Sequence, residues 1–376
     1  MLRGPLIALC LIALLGAGRS AQAIGKFPAP TATSFVLMNP STGEVLAADD
    51  PDREVAPASL TKIMTALVVL DDADLNARYT VPPEAAVGGS SAHLQTGETI
   101  GVRDLLTGLL VASGNDAAVT LATGTAGSIE AFVERMNAKA RALGLKNTHF
   151  ENPHGLDEPG HHTTADDLVT IARAAMRHPL FRELVAHRRT TIPGPGGVGE
   201  RNLESNNLLL DLMPEADGVK TGMTDDAGHT LVAHARRPAL GVQLYAAIMG
   251  SPSSEQRARD AAALLRWGFA QYARPMVVAP GTVIGTVPVK YRPGSGVAYR
   301  VERGIRPPIR LGEPLSERIV APREIRGPIR AGDPVGTLTI LQGNHVLARR
   351  DLVAAESASA PGLLDRVNAG LRALIP

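Results

Sequence analysis

The sequence predicts a mixed α/β (α+β) domain followed by a small all-β domain, and three observations lead there. Apolar residues recur at helical spacing through 59–75, 103–111, 128–143 and 165–177. Strand-like runs frame these helices, an early pair over 34–48 and three late ones at 217–222, 228–235 and 241–249. Beyond Ala273-Arg274-Pro275 the helical period stops, and short apolar runs broken by Pro and Gly continue to about 355.

In chain order, Arg3, an apolar run from Leu6 to Leu15 and the small-x-small triplet Ala21-Gln22-Ala23 read as a secretory signal over 1–23. The run is too short to cross a bilayer comfortably. Cys10 follows Leu9 inside it, which argues against lipidation. Cleavage removes Arg3, Arg19 and the single Cys, leaving 36 basic against 37 acidic residues. Without a thiol, the mature chain has no disulfide, no cysteine nucleophile and no Cys-ligated zinc. Its formal charge of +1 before cleavage makes no case for nucleic-acid binding. Aromatics are only 3%, so the core has to be built mainly from Leu, Val, Ile and Ala.

Ser34-Phe35-Val36-Leu37-Met38 runs into the turn Asn39-Pro40-Ser41-Thr42-Gly43 and returns through Glu44-Val45-Leu46 as a hairpin. Leu60, Ile63, Met64, Leu67, Val68 and Leu70 give the first helix its spacing, another helix starts near Asp116, and the one at 128–143 closes at Gly144. Thr164, with Asp167 three positions on, marks a helix start of the capping-box kind. A Pro/Gly loop covers 193–199, and the late strands form a sheet edge before a helix at 253–271. Arginines at 300, 303, 306, 310, 318, 323, 326 and 330 are interleaved with Glu302, Glu313, Glu317 and Glu324, which reads as a solvated face rather than a polyanion site. After an Ala/Ser-rich linker at 354–360, Leu363, Leu364, Val367, Leu371, Leu374 and Ile375 share one helix face, a pattern that fits interfacial membrane attachment. The expected divisions are 1–23, 24–275, 276–355 and 356–376.

Three segments carry chemistry. Pro57-Ala58-Ser59-Leu60-Thr61-Lys62 opens the first helix, and a spacing of three stacks Ser59 and Lys62 one turn apart. A serine hydroxyl needs a neighbour to take its proton. Lys62 can do so only when neutral, which requires burial or a second cation. Free N–H groups at the helix start would face an oxyanion formed at Ser59. Ser113-Gly114-Asn115 sits on a turn between helices, where a hydroxyl could relay a proton and an amide hold a substrate amide. Lys220-Thr221-Gly222 lies on a strand entered through Asp217-Gly218; Gly222 lets a peptide backbone approach, and Lys220 supplies a cation that could also depress Lys62.

Each segment alone is weak; the ordered set is specific. With it, Pro57-Ala58-Ser59-Leu60-Thr61-Lys62-Ile63-Met64-Thr65, Ser113-Gly114-Asn115-Asp116-Ala117, Asn152-Pro153-His154-Gly155-Leu156 and Asp217-Gly218-Val219-Lys220-Thr221-Gly222 resemble the low-molecular-weight penicillin-binding proteins, the serine-type D-alanyl-D-alanine carboxypeptidases. The similarity runs over roughly 30–275, and the β-rich tail with its terminal helix also looks like that family's layout. It implies the penicillin-recognising serine-transferase fold, an antiparallel sheet with a helical cluster. It implies Ser59 as nucleophile, Lys62 as its base and Ser113 as proton relay to the leaving D-alanine. Asn115 would hold the acyl-side amide, Lys220, Thr221 and Gly222 the terminal carboxylate and backbone, and Ser59 and Met223 N–H groups the oxyanion. Gly89-Ser90-Ser91 looks like the loop bordering the cleft in relatives. Expected partners are peptidoglycan pentapeptide, β-lactam antibiotics and, through the terminal helix, the outer face of the cytoplasmic membrane in the periplasm; no cofactor or metal is implied.

Relatives often carry an Arg two positions before the Asn of an Asn-x-Leu-Leu stretch, whereas Ser205-Asn206-Asn207-Leu208-Leu209 has none, and Met223 replaces a common His or Tyr. Carboxylate recognition would then rest more on Lys220 and Thr221. A class A β-lactamase, a D,D-endopeptidase and a non-catalytic penicillin-binding scaffold are the rival readings. No segment resembles the Glu motif of the β-lactamases, which moreover are usually one domain. Gly194-Pro195-Gly196-Gly197-Val198-Gly199 matches Gly-x-Gly-x-x-Gly, but Pro interrupts it and no helix follows. His161-His162 with Asp166 and Asp167 could suggest a metal, yet Thr164 and Asp167 are better used in capping; His229 and His234, at odd spacing on a strand, cannot share a face.

Overall fold

The structure is a computed structural model that describes residues 25–372. The leader expected over 1–23, and Leu374 and Ile375 of the terminal helix, lie outside the described residues. The described chain divides into two units, 25–238 with 242–270, and 239–241 with 271–372.

The first unit is built on strands β1 (Ser34–Asn39) and β2 (Glu44–Asp49) and helix α1 (Thr61–Asp72). A short pair, β3 (Arg78–Thr80) and β4 (Thr99–Gly101), precedes helices α2 (Val102–Leu110), α3 (Asn115–Ala126), α4 (Ile129–Ala142), α5 (Ala165–Ala175) and α6 (Pro179–Val185). Then come the hairpin β5 (Arg189–Pro193) and β6 (Glu200–Glu204), the short helix α7 (Leu209–Leu212), strands β7 (Ala216–Thr224), β8 (Gly228–Arg237) and β9 (Val242–Ser251), and helix α8 (Ser254–Ala270). The main sheet is antiparallel in the order β2-β1-β9-β8-β7, which leaves β7 at an edge.

Helices pack on both faces of this sheet, so the inner strands β1, β8 and β9 are buried through most of their length. All six residues of β1 are buried. Val36 and Met38 join the core of the α1–α5 cluster. Leu37 points the other way, toward α8, where a Cβ on Gly268 would meet Leu37 and Leu244 at 2.8 and 2.7 Å. Helix α1 runs through the middle of the cluster and is buried from Thr61 to Val69, Lys62 included. Each fully buried Leu, Ile or Met there contributes about 1.5–3 kcal/mol by leaving water.

Local signals account for much of this. Ser128 caps α4 by accepting from Ala131 N at 3.1 Å. Thr164 caps α5 by accepting from Asp167 N at 3.1 Å. The reciprocal half of the capping box is absent, because the Asp167 carboxylate accepts from Asn147 N and Thr148 Oγ1 instead. Two elements depart from expectation. The first helix begins as a 3₁₀ turn over Ala58–Leu60, with Ala58 at φ +48°, before α1 proper starts at Thr61. The Pro/Gly segment at 193–199 is the tip of the β5–β6 hairpin, which inserts Ile192 and Leu203 into the core.

The second unit pairs β10 (Tyr272–Ala273) with β13 (Ile309–Arg310). Its five-stranded antiparallel sheet joins β11 (Val283–Pro288), β12 (Gly296–Val301), β16 (His345–Ala354), β15 (Pro334–Gln342) and β14 (Leu315–Val320) in that order. Val287, Val297, Val301, Ile305, Leu338 and Leu352 form its core. Helix α9 (Leu363–Arg372) is tied to this unit by Arg292, whose Nε donates to Asp365 Oδ2 at 2.9 Å. Leu363, Leu364, Val367 and Leu371 are exposed. Among the described residues no helix is long and apolar enough to cross a membrane.

Candidate active site

Ser59 lies in the 3₁₀ turn and Lys62 in the first turn of α1, so their side chains emerge on one side. Lys62 Nζ stands 2.9 Å from Ser59 Oγ, 2.7 Å from Asn115 Oδ1 and 2.6 Å from His154 O. No part of Lys62 reaches solvent. Burial drives its ammonium well below the ordinary lysine range, the Lys220 cation pushes the same way, and the Asp116 carboxylate opposes both.

The loop 152–156 fixes the start of α1. Asn152 Oδ1 accepts from Gly155 N at 2.6 Å, and Thr65 Oγ1 donates to Pro153 O at 2.6 Å. Gly155 has φ +90° and packs so closely on Ala58 O that no side chain fits. His161, held near a pKa of about 4 chiefly by burial, receives Glu151 N–H at Nδ1, so Nε2 carries the proton and donates to Thr61 Oγ1 at 2.9 Å. This places His161 beside the nucleophile's helix as a fastening. Among the described residues no cluster of His, Cys, Asp or Glu could hold a metal ion.

Ser113 sits between α2 and α3 at φ +60°, a strained setting for a residue with a side chain. Its Oγ accepts from Lys220 Nζ at 2.8 Å. Asn115 opens α3; its Oδ1 accepts from Lys62 and its Nδ2 donates to Gly88 O at 2.6 Å. The next residue, Asp116, is 5% exposed and accepts from Ser91 Oγ, Ala92 N and Leu94 N at 2.6–3.0 Å. It thereby holds the 88–94 loop against the Ser113 turn, and Asn115 N donates to Ser90 O at 2.8 Å.

Edge strand β7 closes the arrangement. A Cβ on Gly222 would come within 2.6 Å of Thr230 Oγ1 and 3.0 Å of Ser59 N, so only glycine lets this strand pass the nucleophile. Lys220, fully buried, is lowered to about 7 by desolvation and by the Arg257 cation. The Met223 side chain points outward and is 59% exposed. Ser59, Ser90, Ser113, Thr221, Gly222 and Met223 line one cleft of about 380 Å³. All eight residues singled out from the sequence therefore converge: five in the cleft wall or just behind it with Ser59, and Lys62 and Asn115 beneath it.

Arg188, Ser205, His229, Glu255 and Arg257 line the far side of the cleft. Arg257, 3% exposed on α8, donates to Gly222 O, Thr230 O and Asn206 O at 3.2–3.3 Å. Arg188 donates to the carbonyl of Ser205. The sequence offered no local signal for either: both sit in arginine-containing polar stretches and are recruited by distant main-chain carbonyls.

The profile of the D-alanyl-D-alanine carboxypeptidase family matches residues 21–253. The chain is 33% identical to the D-alanyl-D-alanine carboxypeptidase DacD of Salmonella typhimurium, across 96% of both chains. Penicillin binding protein 5 of Haemophilus influenzae is similar in structure, with a TM-score of 0.64 and 29% identity over 88% of this chain and 99% of that one. The D-alanyl-D-alanine carboxypeptidase DacD of Francisella tularensis gives a TM-score of 0.62 at 26% identity, covering 88% of this chain and 94% of its own. The chain is thus matched in sequence along nearly its whole length, and the protein belongs to the serine-type D-alanyl-D-alanine carboxypeptidase family.

Proposed function

We propose that this chain is an exported carboxypeptidase that removes the terminal D-alanine from peptidoglycan pentapeptides through an acyl-enzyme on Ser59, and that β-lactam antibiotics acylate the same hydroxyl. The observation that carries the reading is the 2.9 Å approach of a fully buried lysine amine to Ser59 Oγ. With the amine neutral, its two hydrogens go to Asn115 Oδ1 and His154 O, and its lone pair is left for the Ser59 proton. A base so placed contributes about 10²–10⁴ in rate.

Ser59 Oγ attacks the carbonyl between the two D-alanines as Lys62 Nζ takes its proton. The backbone N–H groups of Ser59 and Met223 receive the oxyanion, and the proximity of Gly222 to Ser59 N supports that placement. Collapse of the tetrahedral species breaks the C–N bond, with Ser113, held by Lys220, relaying the proton from Lys62 to the departing amine. Water then adds to the ester and restores Ser59 and Lys62. Lys220, Thr221 and the cleft beyond Gly222 receive the terminal carboxylate, and Asn115 the acyl-side amide. Export follows from the leader over 1–23, placing the enzyme in the periplasm, and the exposed leucines of α9 hold it at the outer face of the cytoplasmic membrane.

Intact-mass measurement after exposure to penicillin, paired with D-alanine release from a D-Ala-D-Ala peptide, tests this. A single penicilloyl adduct, D-alanine release and loss of both in Ser59→Ala are expected. An adduct without release favours a scaffold, rapid penicillin turnover a β-lactamase, and preference for cross-linked peptide dimers an endopeptidase.

A further inference from the structure

Reading a peptide's terminal carboxylate requires a cation with N–H groups to spare. The cations at the cleft differ sharply in this respect. Arg257 is almost wholly buried: its Nη atoms donate to the carbonyls of Gly222, Thr230 and Asn206, and its Nε, though without a partner among the described residues, is closed off from solvent. Lys220 donates to Ser113 Oγ and Thr221 O, and with a pKa of about 7 it carries only part of a charge at neutral pH. The Arg188 guanidinium, by contrast, is held by one edge. Its Nε donates to Asp211 Oδ2 at 2.9 Å, and its Nη1 donates to Ser205 O and lies 3.2 Å from Glu204 Oε1. Nη2, with two N–H groups, has no partner among the described residues, and the side chain lines the cleft at 26% exposure.

The fastening to Ser205 O sets where that guanidinium stands. Arg188, just ahead of β5, lays its guanidinium against the Ser205 carbonyl, and both residues line the cleft. Ser205 N in turn donates to Arg188 O at 2.9 Å, so main chain and side chain together fix the two segments. Asp211 and Glu204 orient the group while remaining about half exposed, and Arg189 shares Glu204, so the local charges of the four residues balance before a carboxylate arrives. An added carboxylate is then received by fixed N–H donors that need no reorganisation.

We propose that Arg188 is a specificity-determining residue, whose Nη2 edge hydrogen-bonds the C-terminal carboxylate of the incoming peptide. The inference rests on the carboxypeptidase reading above. Its test compares two substrates on the full chain, a diacylated L-Lys-D-Ala-D-Ala peptide and the same peptide with a C-terminal carboxamide. Arg188→Ala is expected to lower kcat/KM on the free acid about 10–100-fold, mainly through KM, and to change the carboxamide about twofold or less, so that discrimination collapses. Adding Ser205→Arg to Arg188→Ala is expected to restore discrimination. Arg188→Lys keeps a cation near Asp211 but cannot present the Nη2 edge, and its discrimination is expected to fall about tenfold. Equal losses on both peptides, or unchanged discrimination in Arg188→Lys, overturn the inference and leave Arg188 as a fastening of the rim. A wild-type protein that acylates with penicillin but releases no D-alanine from the free acid would instead overturn the carboxypeptidase reading.

Discussion

Lys220 Nζ donates to Ser113 Oγ at 2.8 Å from a strand that has no other cation within its buried stretch, and its charge is felt by Lys62 as well. Lys220 and Asp116 therefore act on Lys62 in opposite senses, the cation lowering its pKa and the carboxylate raising it. Lys62 must be neutral to accept the Ser59 proton, so acylation rises with pH through the Lys62 pKa. Asp116→Asn removes a charge that raises that pKa and shifts the acid limb of the penicillin acylation rate to lower pH; Lys220→Met removes one that lowers it and shifts the limb to higher pH. Stopped-flow or quench acylation against pH checks both, and two shifts in the same direction would refute the coupling.

Burial of these lysines also governs stability against pH. Lys220 is at about 7 in the folded chain and near 10.4 in an unfolded one. Between those values the unfolded chain holds the extra proton, so the free energy of unfolding rises with pH, by up to about 1.4 kcal/mol per pH unit for each such group. The penalty is complete below pH 7 and vanishes above about 10.4. Urea unfolding from pH 7 to 10 is expected to show this upward slope, and Lys220→Met to flatten it. A slope that stays the same in Lys220→Met would count against the assignment.

Asp116→Ala should loosen the cleft's border. Its carboxylate is the shared acceptor for the buried Ala92 N and the part-buried Ser91 Oγ and Leu94 N, and leaving a buried donor without a partner costs about 1–3 kcal/mol. The expected result is a loss of about 3 kcal/mol or more in unfolding free energy, together with faster amide exchange at Ala92 and Leu94 than elsewhere in the unit. Protection at those two amides equal to the parent's would contradict it.

Gly222→Ala tests how tightly β7 passes the nucleophile. The added methyl would sit 2.6 Å from Thr230 Oγ1, 2.9 Å from Ala58 Cβ and 3.0 Å from Ser59 N, so the strand has to move away from Ser59. A displacement of about 1 Å at reacting groups can cost on the order of 100-fold, and acylation is expected to fall by that amount. Thr230 Oγ1 is buried without a partner among the described residues, so Thr230→Ala alone should be nearly silent and should recover part of the loss in combination. Additive losses in the double variant would show that the contact is not the cause.

The chemistry of this site was legible where it is local, and obscure where distant backbone recruits it. Ser59 and Lys62 are three residues apart, so their proximity follows from helical geometry even though the first turn is 3₁₀. That turn could not be read, because Ala58 takes φ +48° under the loop that carries Gly155. Thr164 announced its cap, but the Asp167 carboxylate went to Asn147 and Thr148, 20 and 19 positions away. Arg257 and Gly222 are 35 positions apart and joined through a carbonyl that every residue possesses, which leaves no trace in residue type. The hairpin of β5 and β6 was hidden for a related reason: its Gly-rich tip dominates the local pattern, while Ile192 and Leu203 show their role only once paired.

Helix α9 offers the last test. Leu363 and Leu364 are 79% and 78% exposed and Val367 and Leu371 at least half exposed, a density of bare apolar surface that the second unit does not cover. Burying such side chains contributes about 1.5–3 kcal/mol each, enough for several kcal/mol of interfacial affinity but less than a spanning helix provides. Arg292 anchors the helix start through Asp365, so the apolar stripe is presented from a fixed first turn. The full chain is expected to co-sediment with phospholipid vesicles, and removal of 361–376 to abolish this while leaving cleavage of a soluble D-Ala-D-Ala peptide unchanged. Leu363→Asp with Leu364→Asp keeps the helix length and should also release the protein. Undiminished sedimentation of both variants would assign membrane binding to another surface, and loss of peptide cleavage on truncation would mean that the helix serves the enzyme's own fold.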